Sequence, residues 1–234
     1  MALSHSPKIV TDGLVLCLDA GDGKSYGGSG TTWTDRSGNG NNGTLTNGVT
    51  FSSDNGGSIV YDGAGDVVTV TRNSSLSPTD EITQEAWFNL DVTGTRVYIG
   101  LQYGTSSSNS YALWNSNTAT WNGLIRNSSG MDIIQYSRAI NISSWYHFVH
   151  TYNGSNQRLY INAELVQTKA VTGSIEYNSN NTEITIGADY NGSGYNTGIT
   201  AVVDGKQPIA RIYNKSLTPD EVLQNYNATK GRFS

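Results

Sequence analysis

Short runs of alternating apolar and polar residues, separated by glycine-containing turns, constrain this sequence more than any other feature. In the run Arg158-Leu159-Tyr160-Ile161-Asn162, Leu159 and Ile161 fall on one face of an extended strand. Asparagine and glycine both tolerate the positive φ that tight hairpin turns require. Asn-Gly pairs recur at 42–43, 47–48, 55–56, 122–123, 153–154 and 191–192. The pattern predicts an all-β chain of many strands and tight turns.

Strand signals continue along almost the whole chain, and only one helix is predicted. The clearest strand segments are 14–18, 58–61, 67–71, 82–90, 97–101, 111–114, 124–126, 133–136, 145–152, 158–162, 183–186 and 209–213. The helix is predicted at about 218–227, because Thr218 and Glu221 form a capping box around a first-turn proline. We expect Leu217, Val222 and Leu223 to dock it. No linker divides the chain, so we predict one domain over 9–226, with tails at 1–8 and 228–234.

Charge and apolar patterning exclude several classes of partner. The chain has 14 Lys+Arg against 19 Asp+Glu, and the charges are scattered, so it offers no basic surface for nucleic acid. No apolar run approaches the ~20 residues of a membrane span, and residues 1–8 lack the apolar core of a signal peptide. We therefore expect synthesis in a cytoplasm and no membrane association. The single cysteine, Cys17, is predicted to be a buried strand residue.

Several short motifs occur in an order typical of one family. They are Gly13-Leu14-Val15-Leu16, the run from Trp33 to Thr44, Ile59-Val60-Tyr61-Asp62-Gly63, Trp145-Tyr146-His147, Leu159-Tyr160-Ile161-Asn162, Ile184-Thr185-Ile186-Gly187 and the run from Ala210 to Glu221. Together they resemble the laminin-G-like, concanavalin A-like jelly-roll family over 9–226. The resemblance implies an antiparallel two-sheet jelly-roll sandwich with one short C-terminal helix.

Two positions depart from the family pattern, and the C-terminal segment resembles proteins of one biological origin. Tyr61 stands where phenylalanine is usual, and Ala163 stands where glycine usually follows the asparagine, so that hairpin is expected to use a different turn. Residues 226–233 resemble the ending of laminin-G-like proteins encoded by tailed bacteriophages.

The resemblance also implies one structural Ca²⁺, which relatives hold with carboxylates and carbonyls. The expected ligands are Asp19 and Asp62. A further aspartate that the family often supplies is missing before the last strand, although Asp204 is close. The alternative is that these aspartates shape turns through local hydrogen bonds.

No catalytic pattern is present in the sequence. Jelly-roll glycoside hydrolases of related fold carry carboxylates in a Glu-x-Asp-x-x-Glu pattern on one strand, which this chain lacks. Glu81 and Glu85 would lie about 13 Å apart on a straight strand, so we interpret them as solvent-exposed carboxylates. His147 and His150 are three apart and should face opposite sides of a strand. We therefore predict that the chain is not an enzyme.

Aromatic and amide side chains in the loop-rich segments suggest carbohydrate binding, because sugar rings stack on aromatic faces and bond to amides. Trp87 and Trp145 are interpreted as core residues. The predicted carbohydrate site comprises Tyr103, Trp114, Asn115, Trp121, Tyr190 and Tyr195.

These features lead to three functional hypotheses. The first is a virion structural, decoration or tail-associated domain of a bacteriophage, which binds capsid or tail proteins and host-surface glycans, with homo-oligomers on the virion left open. The alternative is a bacterial carbohydrate-binding, lectin-like module. A glycoside hydrolase ranks last.

Overall fold

The computed structural model describes residues 8–101, 109–117, 119–190 and 199–233. One α-helix, α1, spans Pro219–Thr229, and 3₁₀ turns lie at Asp54–Gly56, Ser74–Leu76 and Lys230–Arg232. The strands are β1 Leu14–Asp19, β2 Thr32–Trp33, β3 Gly43–Thr46, β4 Thr50–Ser52, β5 Ser58–Asp62, β6 Val67–Thr71, β7 Ile82–Leu90, β8 Arg96–Leu101, β9 Tyr111–Ser116, β10 Thr120–Asn127, β11 Gly130–Ser137, β12 Trp145–Tyr152, β13 Asn156–Ile161, β14 Glu164–Ala170, β15 Glu183–Ile186, β16 Asp189–Tyr190, β17 Ile199–Thr200 and β18 Asp204–Tyr213.

The strands form two large antiparallel sheets packed face to face. Sheet A has the order β14-β13-β12-β7-β18-β5-β4, and β1 joins it by pairing with the second half of β18. Sheet B has the order β11-β10-β9-β8-β15-β6-β3-β2, and β16 pairs with β17 beside it. This arrangement confirms the predicted all-β, jelly-roll sandwich with one short C-terminal helix.

Local sequence accounts for most strands but not for all of them. Strands β7 and β12 coincide with the predicted segments, and the hairpin between Tyr152 and Asn156 turns at Gly154 with φ of +76°. Strand β14 was not predicted, because it is an exposed edge strand without an apolar face. The predicted turn at Asn122-Gly123 is wrong, since both residues lie inside β10.

Aromatic rings from the two sheets meet between them and form the main core. The ring of Phe88 in sheet A stacks on Tyr98 in sheet B with centroids 3.9 Å apart. The indole of Trp121 packs edge-on against Phe148 at 4.9 Å and against Tyr146 at 5.1 Å. The apolar faces of the two sheets are therefore buried against each other, as the alternation of residue types requires.

A chain of hydrogen bonds crosses this core. Gln84 Nε2 lies 3.2 Å from His150 Nδ1, and His150 Nε2 lies 2.9 Å from Gln157 Oε1. Gln157 Nε2 donates to the Asp132 carboxylate at 2.8 Å, which fixes the direction of its amide. His150 Nε2 therefore carries the ring proton and Nδ1 accepts. Burial lowers the pKa of His150 to about 4, so the ring is neutral at pH 7.

Helix α1 covers the outer face of sheet A. Thr218 caps its first turn by accepting from the Glu221 amide, and the Glu221 carboxylate accepts from the Thr218 amide, which confirms the predicted capping box. Leu217 and Val222 are buried as expected, but Leu223 is 46 % exposed, so its predicted role in docking is wrong. No helix in the described ranges is long and apolar enough to cross a bilayer.

Residues 228–233 do not form the predicted tail. Thr229 accepts a hydrogen bond from the Trp87 indole at 3.0 Å, and Phe233 is buried against the same ring. Arg232 pairs with Asp19 at 2.7 Å. This segment is part of the folded domain, because the aromatic surface of sheet A offers it a place to bury Phe233.

Candidate functional site

A cavity of about 320 Å³ opens beside the C-terminal end of α1, on the outer face of sheet A. We call it the C-terminal aromatic pocket. It is lined by Trp87, Trp145, Asn162, Tyr226, Lys230, Gly231 and Phe233. Strands β7 and β12 supply the two tryptophans, the β13–β14 turn supplies the asparagine, and α1 with the following turn supplies the rest. The pocket is thus assembled from segments far apart in sequence.

Four aromatic rings give the pocket its apolar surface. Trp87 and Phe233 are buried, with centroids 4.4 Å apart, and form its floor. Tyr226 stacks on Trp87 at 5.6 Å with an interplanar angle of 7°, and Trp145 lies 4.7 Å from Phe233. Trp145 and Tyr226 are only half-buried, so their rings border the opening. Partly exposed aromatic faces of this kind stack on planar or sugar-like ligands.

Polar groups surround these rings. The side-chain oxygen Oδ1 of Asn162 accepts a hydrogen bond from the His147 backbone N–H at 2.9 Å. The backbone N–H of Asn162 donates to the His147 backbone carbonyl at 2.8 Å. These bonds leave the Asn162 side-chain NH₂ group as a donor on the pocket side. The Trp145 indole N–H and the Tyr226 hydroxyl make no hydrogen bond with any part of the chain that the structure describes.

The turn that carries Asn162 is unusual. Two residues, Asn162 and Ala163, connect β13 to β14, and their φ values are +52° and +65°. Both central residues of the tightest hairpin turn need positive φ, a region that alanine adopts at a cost. The expectation of a different turn at Ala163 is therefore wrong. Alanine occupies the left-handed position that glycine would fill without strain.

A buried ion pair lies beneath the pocket. Arg211 Nη1 donates to Glu85 Oε1 at 2.6 Å, His147 Nε2 lies 3.1 Å from the same oxygen, and Asn225 Nδ2 donates to Glu85 Oε2 at 2.7 Å. Burial alone would raise the pKa of Glu85, but the Arg211 guanidinium and the two other donors outweigh it and lower this pKa to about 2. The expectation that Glu85 is solvent-exposed is wrong, because α1 covers it.

The predicted carbohydrate residues that the structure describes do not form one exposed site. Trp114 and Trp121 sit on the paired strands β9 and β10, but Trp114 pairs with Asn122 and Trp121 with Asn115. Neighbouring residues of a strand point to opposite faces, so Trp121 enters the core and Trp114 lies on the outer face of sheet B. Trp121 is fully buried and its indole donates to the Arg138 carbonyl, so the ring is a core residue and does not offer a face to ligand.

The other predicted residues are either buried or lie outside the described ranges. Asn115 is buried, accepting from the Tyr98 hydroxyl at 2.6 Å and donating to the Gly94 carbonyl at 2.6 Å. Tyr190 is also buried. Tyr103 and Tyr195 fall outside the described residues. Trp114 lines a cavity of about 190 Å³ that it shares with hydrophobic side chains of β10 and β11 and with Asp189.

Comparison with known proteins identifies the family. A family model described as the concanavalin A-like lectin/glucanases superfamily matches residues 62–223. The chain belongs to this superfamily. A search of curated proteins gave no match.

Solved structures share the superfamily fold at low sequence identity. A structure of botulinum neurotoxin type C, whose cell entry depends on interaction with two ganglioside molecules, has a TM-score of 0.69 and 16 % identity, and the match covers 94 % of this chain and 52 % of that chain. The binding domain of botulinum neurotoxin DC in complex with SialylT has a TM-score of 0.68, 16 % identity and coverages of 94 % and 52 %. The binding domain of Paraclostridial Mosquitocidal Protein 1 has a TM-score of 0.66, 16 % identity and coverages of 93 % and 52 %. This chain spans about half the length of these domains.

The superfamily resemblance pointed to Asp19 and Asp62 as calcium ligands. Their partners on β18 are Ile209 and Asp204, five residues apart, which separates the two aspartates by about 16 Å along the strand. They therefore do not share one ion. Each carboxylate also accepts a hydrogen bond from the backbone N–H two residues later, as a turn-shaping aspartate does. Gly21 donates to Asp19 at 2.9 Å, and Ala64 donates to Asp62 at 2.8 Å. Within the described ranges, no three His, Cys, Asp or Glu side chains group to hold a metal.

The pocket was not predicted from the sequence, because aromatic residues in strand segments indicate a buried core and not a binding surface. The prediction that Trp87 is buried is confirmed, and Trp145 is half-buried, but on sheet A both rings point away from sheet B, towards α1. The capping box at Thr218 predicted a helix, and Tyr226 and Phe233 follow it with a spacing of seven residues. That spacing was the available signal for an aromatic cluster, but the strand pairing that brings it to Trp87 is not visible in the sequence.

Proposed function

We propose that this chain is a non-catalytic, lectin-like module that binds a saccharide in the C-terminal aromatic pocket. The observation that carries the proposal is the combination of half-buried rings at Trp145 and Tyr226 with donors that have no other described partner. Sugar rings present an apolar face to aromatic side chains and hydroxyls to amides and indoles. The pocket offers both within one opening.

The surroundings of the pocket support binding and not hydrolysis. Glycoside hydrolysis needs two carboxyl groups about 5–10 Å apart with different protonation states. No carboxylate lines the pocket, and Glu85 beneath it is fully engaged by Arg211, His147 and Asn225. Two of the structural neighbours, a neurotoxin whose cell entry depends on two ganglioside molecules and a binding domain in complex with SialylT, also favour a glycan-binding role.

The test is a glycan array probed with the protein in multivalent form, because a single shallow site binds weakly and many copies supply avidity. Trp145→Ala should remove the binding. Trp114→Ala is the matched control, since it removes a half-buried tryptophan on the opposite sheet. Loss of binding in Trp114→Ala but not in Trp145→Ala would move the site to the outer face of sheet B. Urea denaturation of each variant separates lost binding from lost folding.

The biological setting that we propose is a bacteriophage virion, with the module as a decoration or tail-associated domain. The support is the resemblance of residues 226–233 to the ending of phage laminin-G-like proteins. Mass spectrometry of purified particles tests it, since a virion component must be present in stoichiometric amounts. Its absence from particles, combined with glycan binding, would favour a bacterial carbohydrate-binding module.

A further inference from the structure

We infer that the C-terminal aromatic pocket selects saccharide units that carry a carboxylate. The inference rests on the proposed function and concerns the charge of the ligand. Its basis is the inventory of polar side-chain groups at the opening, among which hydrogen-bond donors predominate and one carries a positive charge. The donors are the Asn162 NH₂, the Trp145 indole N–H and the Lys230 ammonium, and the Tyr226 hydroxyl both donates and accepts.

The amide of Asn162 is held as a donor by its surroundings. Its side-chain oxygen Oδ1 accepts a hydrogen bond from the His147 backbone N–H. If the side-chain amide were flipped, its NH₂ group would face that backbone N–H, and two donors would oppose each other. The two-residue turn and the reciprocal bond to the His147 carbonyl hold the backbone in place. The Asn162 side chain therefore presents only its NH₂ group to the pocket, and it favours a ligand whose oxygens accept hydrogen bonds.

Lys230 gives the opening its charge. Its ammonium lies 5.3 Å from the centre of the Tyr226 ring and is exposed, and none of the described carboxylates pairs with it. Glu85 is the carboxylate beneath the pocket, and its charge is balanced by Arg211 at 2.6 Å. A ligand carboxylate would thus meet an unpaired cation and two neutral donors, and charge-assisted hydrogen bonds are the stronger kind.

The size of the pocket limits the ligand to a short unit. A cavity of about 320 Å³ lies at the lower end of the range of small-molecule sites. It suits one pyranose ring with its carboxylate, stacked on the half-buried ring of Trp145 or of Tyr226. A uronic acid and a sialic acid share this chemistry.

The experiment titrates the full chain with methyl β-D-glucuronide, methyl β-D-glucoside and a methyl sialoside, followed by tryptophan fluorescence and by NMR. The glucuronide and the glucoside differ only at the carboxylate. We expect one or both acidic sugars to bind about tenfold more tightly than the glucoside, as one added charge-assisted hydrogen bond implies. The sialoside arm distinguishes a sialic acid ligand from a uronic acid ligand. Added salt should weaken binding of the acid and not of the glucoside.

Two variants assign the preference to the pocket. Lys230→Gln should reduce affinity for the acidic sugar about tenfold, and so should Asn162→Asp, which sets a carboxylate where the donor was. Lys24→Gln removes an exposed charge that does not line the pocket and should leave the affinity unchanged. Equal binding of glucoside and acids would overturn this inference while the proposed function stands. Absence of binding to any sugar, in solution and on the array, would overturn both.

Discussion

The buried His150 makes stability depend on pH over a defined range. Its pKa falls from 6.5 in an unfolded chain to about 4 in the fold, because the ring is enclosed in the core. As pH falls below 6.5 the unfolded chain binds the proton first, so the free energy of unfolding decreases until about pH 4 and this group adds no further loss below that. At about 1.36 kcal/mol per pH unit the full loss is about 3 kcal/mol, of which about 2.5 kcal/mol is lost by pH 4.5.

The assay is urea denaturation of the wild type and of His150→Gln at pH 7.5 and pH 4.5. Other groups titrate in the same range: burial raises the pKa of Asp189 to about 6, which stabilises the fold in acid and acts in the opposite direction. The difference between the two proteins isolates His150, and the wild type should lose about 2.5 kcal/mol more than the variant. A difference that does not change with pH, or an NMR titration that places the His150 pKa near 6.5, would refute the reasoning.

Four further predictions concern stability. Gly123→Ala should lower the free energy of unfolding by about 2 kcal/mol, because a Cβ there would lie 2.5 Å from the His150 ring, and the loss should shrink in a His150→Ala background. Ala163→Gly should raise it by roughly 0.5–1 kcal/mol by removing left-handed strain, and an unchanged urea midpoint would argue against that strain. Thr218→Ala should lower it by about 1 kcal/mol through loss of the cap, which thermal denaturation measures. If Asp62 helps to hold a structural Ca²⁺, a chelator should lower the Tm, and an unchanged melting curve without calcium in elemental analysis would remove that idea.

The alternation of residue types was enough to predict the sandwich and most of its strands. Strands such as β7 and β12 have apolar residues on the core face, and the helix begins with a complete capping box, so both were visible without tertiary information. Strand β14 was missed because its seven residues are mostly exposed and polar. Its strand conformation comes from pairing with β13, a property of the neighbour and not of its own pattern.

The candidate site could not be predicted because it depends on which face of each strand is covered. Trp114 and Trp121 gave the same signal in the sequence, yet strand register sends one to the outer face and the other into the core. Glu85 was expected in solvent, and helix α1 buries it against Arg211. Asn122-Gly123 resembles a turn, but both residues lie in β10, where the His150 ring occupies the space that a side chain at position 123 would need. Each error arises from a contact between residues distant in sequence.

The C-terminal aromatic pocket also has a consequence for synthesis. Its tryptophans belong to β7 and β12, but Tyr226, Lys230 and Phe233 are made more than seventy residues after Trp145. A nascent chain on the ribosome therefore has all the described strands of the sandwich before it has the pocket, and products cut short before residue 226 lack about half of the pocket lining. If the pocket binds a saccharide as we propose, copies that terminate before residue 226 should fold as a sandwich but should not bind the sugar.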